Sequence, residues 1–470
     1  MLIKEGSAFF FLFSFDRIVK KGEMTMENKL NLLEGRIVPL LIKLTLPIIG
    51  TSFLEMAYAL IDMLWIGKLG ASAIAAVGVA GMFSWLSAGL AMIATQGGQV
   101  KTGHSLGAQN EKEAIHYASS AIQLGILFAI IFSLGTVIFS KFFIGLFGLS
   151  TQNTIQQAIV YLRITCGLII FNFMNIIMTG ILNASGDSQT PFQCNSIGLV
   201  LNIVLDPFLI FTCNLGVFGA GLATVLAQVF VCLLFVRHNY KKNTLLKHIT
   251  LNKLYKPYYY GNVLKIGFPL GLQSMLFSIC SMVVAGFVAE FGDAAIAAQK
   301  IGTQVENISW CMATGFQTSI NSFISQNYGA KKYERVEKGY HTMMVFSLIW
   351  GIVCTVLMVF YPHIIYRFFT DDQEVISIGI HYLQIVGLSE FFMILELMVS
   401  GAFSGLGDTI PPSIVSIVFT LGRIPVILLI LNIFKLDGIW WVISLSGIIK
   451  GLVDTIWFYY YKKRTLKEAF

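Results

Sequence analysis

Charge is what this chain has least of. Asp, Glu, Lys and Arg make up 12% of its 470 residues, against about 25% in soluble domains. So few charges cannot dress a water-soluble body of this length. With 56% hydrophobic residues and a mean hydropathy of +0.74, the chain reads as a polytopic membrane protein. Cysteine is also informative by its arrangement. Cys166, Cys194, Cys213, Cys232, Cys280, Cys311 and Cys354 are scattered through apolar runs, never as CxxC and never beside histidine. They read as free thiols, with no disulfide framework and no metal site. A phosphate-binding GxxxxGK[ST] loop is missing, so the chain does not itself hydrolyse ATP, and neither HExxH nor GxSxG occurs. No catalytic residue is assigned, and an enzyme is not expected.

What is present is a succession of apolar runs, each long enough to cross a bilayer. There are twelve: 40–67, 72–98, 115–147, 154–184, 191–213, 217–237, 262–289, 294–325, 340–368, 373–405, 411–434 and 438–461. If the N-terminus is cytoplasmic, 22 Lys and Arg fall in cytoplasmic segments and only four on the other side, namely Lys68, Lys141, Arg367 and Lys435. That bias places both termini in the cytoplasm of a multi-pass plasma-membrane protein, and it accounts for the net charge of +7 without an acidic or nucleic-acid partner. The predicted organisation is a cytoplasmic tail (1–36), a first lobe (37–238), a basic linker (239–260), a second lobe (261–461) and a short tail (462–470). Ala8–Phe15 is apolar but too short to span, and no small-residue cleavage site follows it. Residues 1–23 therefore read either as lying upstream of the true start or as a disordered tail.

The two halves are related. Placing Pro47 on Pro269 and holding an offset of 222 to Ala108 and Ala330 gives 12 identities in 62 positions without a gap. Ala73-Ile74-Ala75-Ala76 meets Ala295-Ile296-Ala297-Ala298, and Gly186-Asp187 meets Gly407-Asp408 at an offset of 221. Two six-helix halves of equal orientation imply a parallel repeat about an axis along the membrane normal, an architecture suited to alternating access.

Acids inside apolar runs are costly, about 2.5–3.5 kcal/mol each on insertion scales, and commonly mark ion pathways. Asp62 lies well inside the first run, with Glu55 seven residues earlier on nearly the same face. In the fifth run Asn202 and Asp206 share a face at i and i+4, and Pro207 removes the donor that would bond the Ile203 carbonyl. Carboxylate, amide oxygen and carbonyl together suit a hard cation such as Na+, or a shared proton. Thr224 in the sixth run and Asn175 in the fourth are weaker candidates for further oxygen ligands, since lone Thr and Asn in membrane helices more often bond backbone or a neighbouring helix. The repeat does not duplicate Asp62, because Val284 stands opposite. The second half instead carries Glu306, Glu390, Glu396 and Arg423. These, with Glu55, are candidates for a second-lobe or cavity site; the alternatives for the acids are an ion pair with Arg423 or Lys300, or an interfacial position. The turns ASGDSQTP and SGLGDTIPP need no role beyond turning the chain.

The ordered motifs LPIIGTSFLEMAYALIDMLWIGKLG, GHSLGAQNEKEA, NASGDSQTP, NIVLDP, NYGAKKYERVEKG, SGLGDTIPP and GRIP resemble those of the multidrug and toxic compound extrusion (MATE) transporters, from about Asn28 to Lys463. The resemblance implies an all-α fold of twelve transmembrane helices in two pseudo-symmetric lobes forming a V-shaped cavity. It implies efflux of organic cations and amphipathic compounds in exchange for Na+ or H+, with no cofactor and lipid as the surrounding partner. The family's first-lobe cation site maps onto Asp62, Asn202, Asp206, Thr224 and the neighbourhood of Asn175. The chain departs from the pattern where some members carry helix-seven and helix-ten acids, since Phe277 and Met393 stand there. A monomeric antiporter is the reading adopted, and a lipid or polysaccharide flippase of the same superfold is the alternative.

Overall fold

The computed structural model describes residues 29–149, 151–242 and 245–467, so the expectations for residues 1–23 fall outside it. Among the described residues there are helices and connecting turns and no strand. In chain order the helices of the first half are α1 (Ile37–Gly67), α2 (Ala71–Gly107), α3 (Glu111–Ile138), α4 (Ser140–Gly145), α5 (Gln152–Thr165), α6 (Ile170–Ala184), α7 (Gln189–Pro207) and α8 (Gly216–Lys242). The second half contributes α9 (Pro257–Ala289), α10 (Asp293–Gly329), α11 (Tyr333–Phe360), α12 (Pro362–Phe369), α13 (Gln373–Leu406), α14 (Ile410–Leu421) and α15 (Arg423–Lys467).

Nine stretches of the described residues are individually long and apolar enough to cross a membrane. A tenth span is the pair α5 and α6, bent by 47° at its break. The α14–α15 stretch divides again at Lys435, whose backbone (φ 49°, ψ −136°) is not helical. The remaining span is α10, which is 37 residues long but diluted by Asp293, Lys300 and Glu306. Twelve crossings result. Helix ends differ from the apolar runs because helices continue into polar sequence: α2 reaches Gly107 and α10 reaches Gly329. The linker is not a free tether. Leu245–His248 forms a short 3₁₀ turn, and Gln123 of α3 donates to the carbonyls of Leu251 and Lys253, both at 2.9 Å.

The lobes meet where α2 crosses α10, and the contact is reciprocal. Gln96 accepts from the Asn321 amide at 3.0 Å, and Gln99 reaches the Thr318 carbonyl at 3.5 Å and the Ser322 hydroxyl at 3.0 Å. At an offset of 222, Gln96 corresponds to Thr318 and Gln99 to Asn321, so each contact is the other rotated by a two-fold axis. The glycines repeat the pattern. A Cβ on Gly107 would lie 1.9 Å from the Gln326 carbonyl oxygen, and one on Gly329 would lie 2.1 Å from that of His104. Only residues without a side chain let these backbones touch.

The interlobe contacts run from mid-helix towards the end that carries the linker. On α1 they reach Ser52, whose carbonyl accepts from the Cys311 thiol at 3.6 Å. On α9 they include Gly267 and Gly271 against Ile93, and at the far end His104 bonds the Gly405 carbonyl at 2.8 Å. The segment before α1 straps the same end. Leu30 donates to Gly186 of the first lobe, while Arg335 of the second donates to the carbonyls of Leu32, Glu34 and Gly35. The molecule is closed at its linker end, and Glu55, exposed just beyond Ser52, lies on the open side of that closure.

Candidate functional site

The first-lobe candidates converge. Helix α1 carries Asp62, which is half-buried; α7 carries Asn202 and Asp206, both fully buried; α8 carries Thr224. Thr224 donates to Asp62 Oδ2 at 3.2 Å while also bonding its own helix at the Ala220 carbonyl, and the Asn202 amide donates to Asp206 Oδ1 at 3.2 Å. Asp62 faces Asp206 and Asn202 across the α1–α7 contact. Asp62 Oδ1, Asn202 Oδ1 and Asp206 Oδ2 are buried without a hydrogen-bond partner. Buried polar atoms are normally paired, so three orphaned oxygens, two of them from carboxyls, ask for a cation or a proton. Both fit the donor set: sodium takes carboxylate, amide and hydroxyl oxygens, and a proton can be shared between neighbouring carboxyls.

Local sequence explains the placement. Pro207 ends α7, and Phe208–Thr212 continue as a π-helical turn that redirects the chain into α8. Such turns recur at functional sites. Asn175 on α6 is bound to the Gln228 carbonyl at 2.9 Å, one helical turn from Thr224, and its Oδ1 has no partner. It therefore borders the site as a backbone-bonded residue. Two tyrosines that sequence reasoning missed complete the walls: Tyr58, one turn before Asp62, and the buried Tyr161 of α5, both within electrostatic reach of Asp62 and Asp206. The i−4 spacing of Tyr58 from Asp62 was the available signal. Tyr161 had none.

The second lobe is built differently. Glu306 is buried and accepts a short hydrogen bond from the Tyr382 hydroxyl. Tyr366 beside it donates to the Ala298 carbonyl at 2.7 Å. Arg423 is buried and spends its Nε on Ser446 at 2.7 Å, lying within electrostatic reach of Glu306 and Glu396. Lys300 is exposed and bonds Thr303 through its backbone carbonyl. Glu396 is ion-paired to Lys450 at 3.0 Å, both side chains almost inaccessible. Glu390 is fully buried with neither oxygen partnered. Phe277 packs its ring on Trp310 at 5.5 Å, and Met393 packs against Gly447. Glu55 belongs to neither cluster. Among the described residues no group of three His, Cys, Asp or Glu side chains is placed to hold a metal.

A bundle of two reciprocal six-helix lobes, with ionisable groups deep in each, is the architecture of a membrane transporter and not of an enzyme. The MatE family model matches the chain twice, over residues 47–208 and 269–429, and the chain belongs to that family. The two matches start 222 residues apart, the offset of the internal repeat. Among curated relatives, a probable multidrug resistance protein NorM of Thermotoga maritima is 27% identical over 416 residues, covering 85% of this chain and 87% of its own length. The multidrug export protein MepA of Staphylococcus aureus is 24% identical, covering 89% and 93%. Among solved structures, a MATE protein in its straight conformation superposes with a TM-score of 0.86 at 22% identity, covering 94% of this chain and all of that one. An outward-facing multidrug resistance MATE transporter gives 0.84 at 21% identity, covering 95% and 99%. The fold is that of the MATE transporters.

Proposed function

We propose that the chain is a secondary multidrug efflux antiporter, exporting organic cations and amphipathic compounds in exchange for Na+ or H+. The observation that carries this reading is the first-lobe pocket, where Asp62, Asn202 and Asp206 present unpartnered oxygens beside Thr224. Two neighbouring buried carboxyls without counter-charges favour taking up one positive charge, and an arriving ion or proton supplies it. Each charge moving with the membrane potential releases about 2.3 kcal/mol per 100 mV, enough to bias a two-state transporter. The excess of Lys and Arg at the linker end supports a cytoplasmic position for that end. The described state is then open to the outside, with Glu55 at the floor of its cleft. Residues 37–238 and 261–461 are the two moving lobes of a monomer. The names of the relatives support efflux over a lipid or polysaccharide flippase.

The test is transport in vesicles with a Na+ gradient and a pH gradient imposed separately, together with drug accumulation in a susceptible host. One gradient should drive export, and Asp62→Asn should abolish it while the protein remains folded in the membrane. Retained export by Asp62→Asn would remove the first-lobe pocket from the mechanism.

A further inference from the structure

We propose that Asp454, together with Glu396, Lys450 and Ser400, forms a second proton-binding site, in the other lobe and separate from the Asp62 pocket. Asp454 lies on α15, is fully buried, and has no partner for either carboxyl oxygen. Its electrostatic neighbours are Glu396 and Lys450. Helices α13 and α15 run parallel here in a steady register: Met393 packs on Gly447, Glu396 pairs with Lys450, and Phe403 meets Phe458 edge to face. The same register sets Ser400 level with Asp454, and the Ser400 hydroxyl is also buried without a partner. Three orphaned oxygens thus come from two facing helices, beside an ion pair that is already complete.

Charge decides what they hold. Glu396 and Asp454 against Lys450 leave one negative charge in excess, in a place where a bare carboxylate is prohibitively unstable. One added positive charge makes the site neutral. A metal cation would have to sit against the Lys450 ammonium, whereas a proton on Asp454 adds no steric demand and can be donated to Ser400. Arg423 adds a positive charge near Glu396 and Glu306 a negative one near Arg423, so the excess remains one negative charge. Helix α9 presents the Cys280 thiol towards Lys450 and Arg423, α14 carries no ionisable residue, and Arg423 at the start of α15 lies near Glu396. One turn beyond Asp454 towards the linker end, Phe458 is wedged between Tyr340 at 4.7 Å and Phe403 at 4.8 Å. This aromatic plug closes the site from that side in the state described.

The experiment needs no drug and no transport, so it stands apart from the first-lobe reading. The full-length protein in lipid nanodiscs is titrated by infrared difference spectroscopy of the protonated-carboxyl stretch, with and without 100-fold excess Na+ over protein. Asp454→Asn should delete one protonated-carboxyl band, Glu396→Gln should delete it too because Lys450 then balances Asp454 alone, and Na+ should leave it unchanged. A band that survives in Asp454→Asn overturns the proposal, as does one displaced by Na+. Because Asp454→Asn is nearly isosteric, folding is checked by gel filtration. If it does not fold, Lys450→Met is the second variant: the proposal requires one further carboxyl to become protonated, and an unchanged spectrum overturns it.

Discussion

Placing a methyl group at the lobe crossing should push the protein out of the state described here. In that state the Cβ of Gly107→Ala would lie 1.9 Å from the Gln326 oxygen, and that of Gly329→Ala 2.1 Å from the His104 oxygen. Ordinary contact begins at 3.4 Å, so the backbones must part by about 1.3–1.5 Å. Overpacking of this kind costs about 1–3 kcal/mol. The gain in helix propensity, about 1 kcal/mol for Gly to Ala, is common to both conformations and cancels between them. The closed linker end should therefore lose population relative to the alternative by roughly 5- to 150-fold. A reporter is Ser325→Cys, buried in the crossing, in a background whose seven native cysteines are replaced. Its labelling by a thiol reagent applied from the linker side should accelerate by that factor. The two-fold relation adds a stricter demand. The two substitutions should act about equally, and the double variant should fall well short of their sum, since the first already opens the gap the second needs. Gly286→Ala, with nothing within 4 Å of the added carbon, is the control. Unchanged labelling in both single variants, or fully additive effects, would refute the reciprocal crossing.

Arg335 makes most of the side-chain bonds to the strap ahead of α1, with Lys332 and Asn327 adding one each to Leu33 and Leu32. Arg335→Ala removes three donors, to Leu32, Glu34 and Gly35, and should raise hydrogen exchange at the amides of residues 30–36 by about tenfold, a loss of about 1.4 kcal/mol; Arg335→Lys should recover only part. In the second lobe, Tyr382→Phe keeps the ring packed on Trp440 at 5.2 Å but leaves buried Glu306 without its donor. It should destabilise the protein by about 1–3 kcal/mol, seen as a lower midpoint in thermal unfolding in detergent, and an unchanged midpoint would show that Glu306 does not depend on that hydroxyl.

How much could be read from the sequence followed from what each feature costs. The apolar runs and the repeat were legible because lipid exposure and duplication leave marks on many residues at once. Asp62, Asn202 and Asp206 could be grouped because two lie at i and i+4 and the third is an acid where acids are expensive. Lys450 and Asp454 escaped notice although both lie within the last run. Their meaning depends on α13 running beside α15, and no local spacing records which helices are neighbours. The same blindness made Arg423 or Lys300 the natural partner for Glu306, when the structure gives that place to a tyrosine 76 residues away. Helix ends were misjudged for a related reason. Gln99, His104 and Gln326 are polar, yet they are helical because the facing lobe satisfies them.

Where α2 crosses α10 the lobes are fastened by amides and bare backbone, while hydrocarbon contact between them falls to α1, whose Ile48 and Ile49 share a buried cluster with Phe316 and Ile320. A side chain of leucine size buried in such a seam would contribute about 1.5–3 kcal/mol and give nothing back on opening. A hydrogen bond made by Gln96, Gln99 or Asn321 contributes about 1 kcal/mol net, because water bonds the same groups when the lobes part. That crossing can therefore be unzipped a few kcal/mol at a time, on the scale of a single charge crossing the membrane potential. Leucine in place of those amides would make the crossing harder to part.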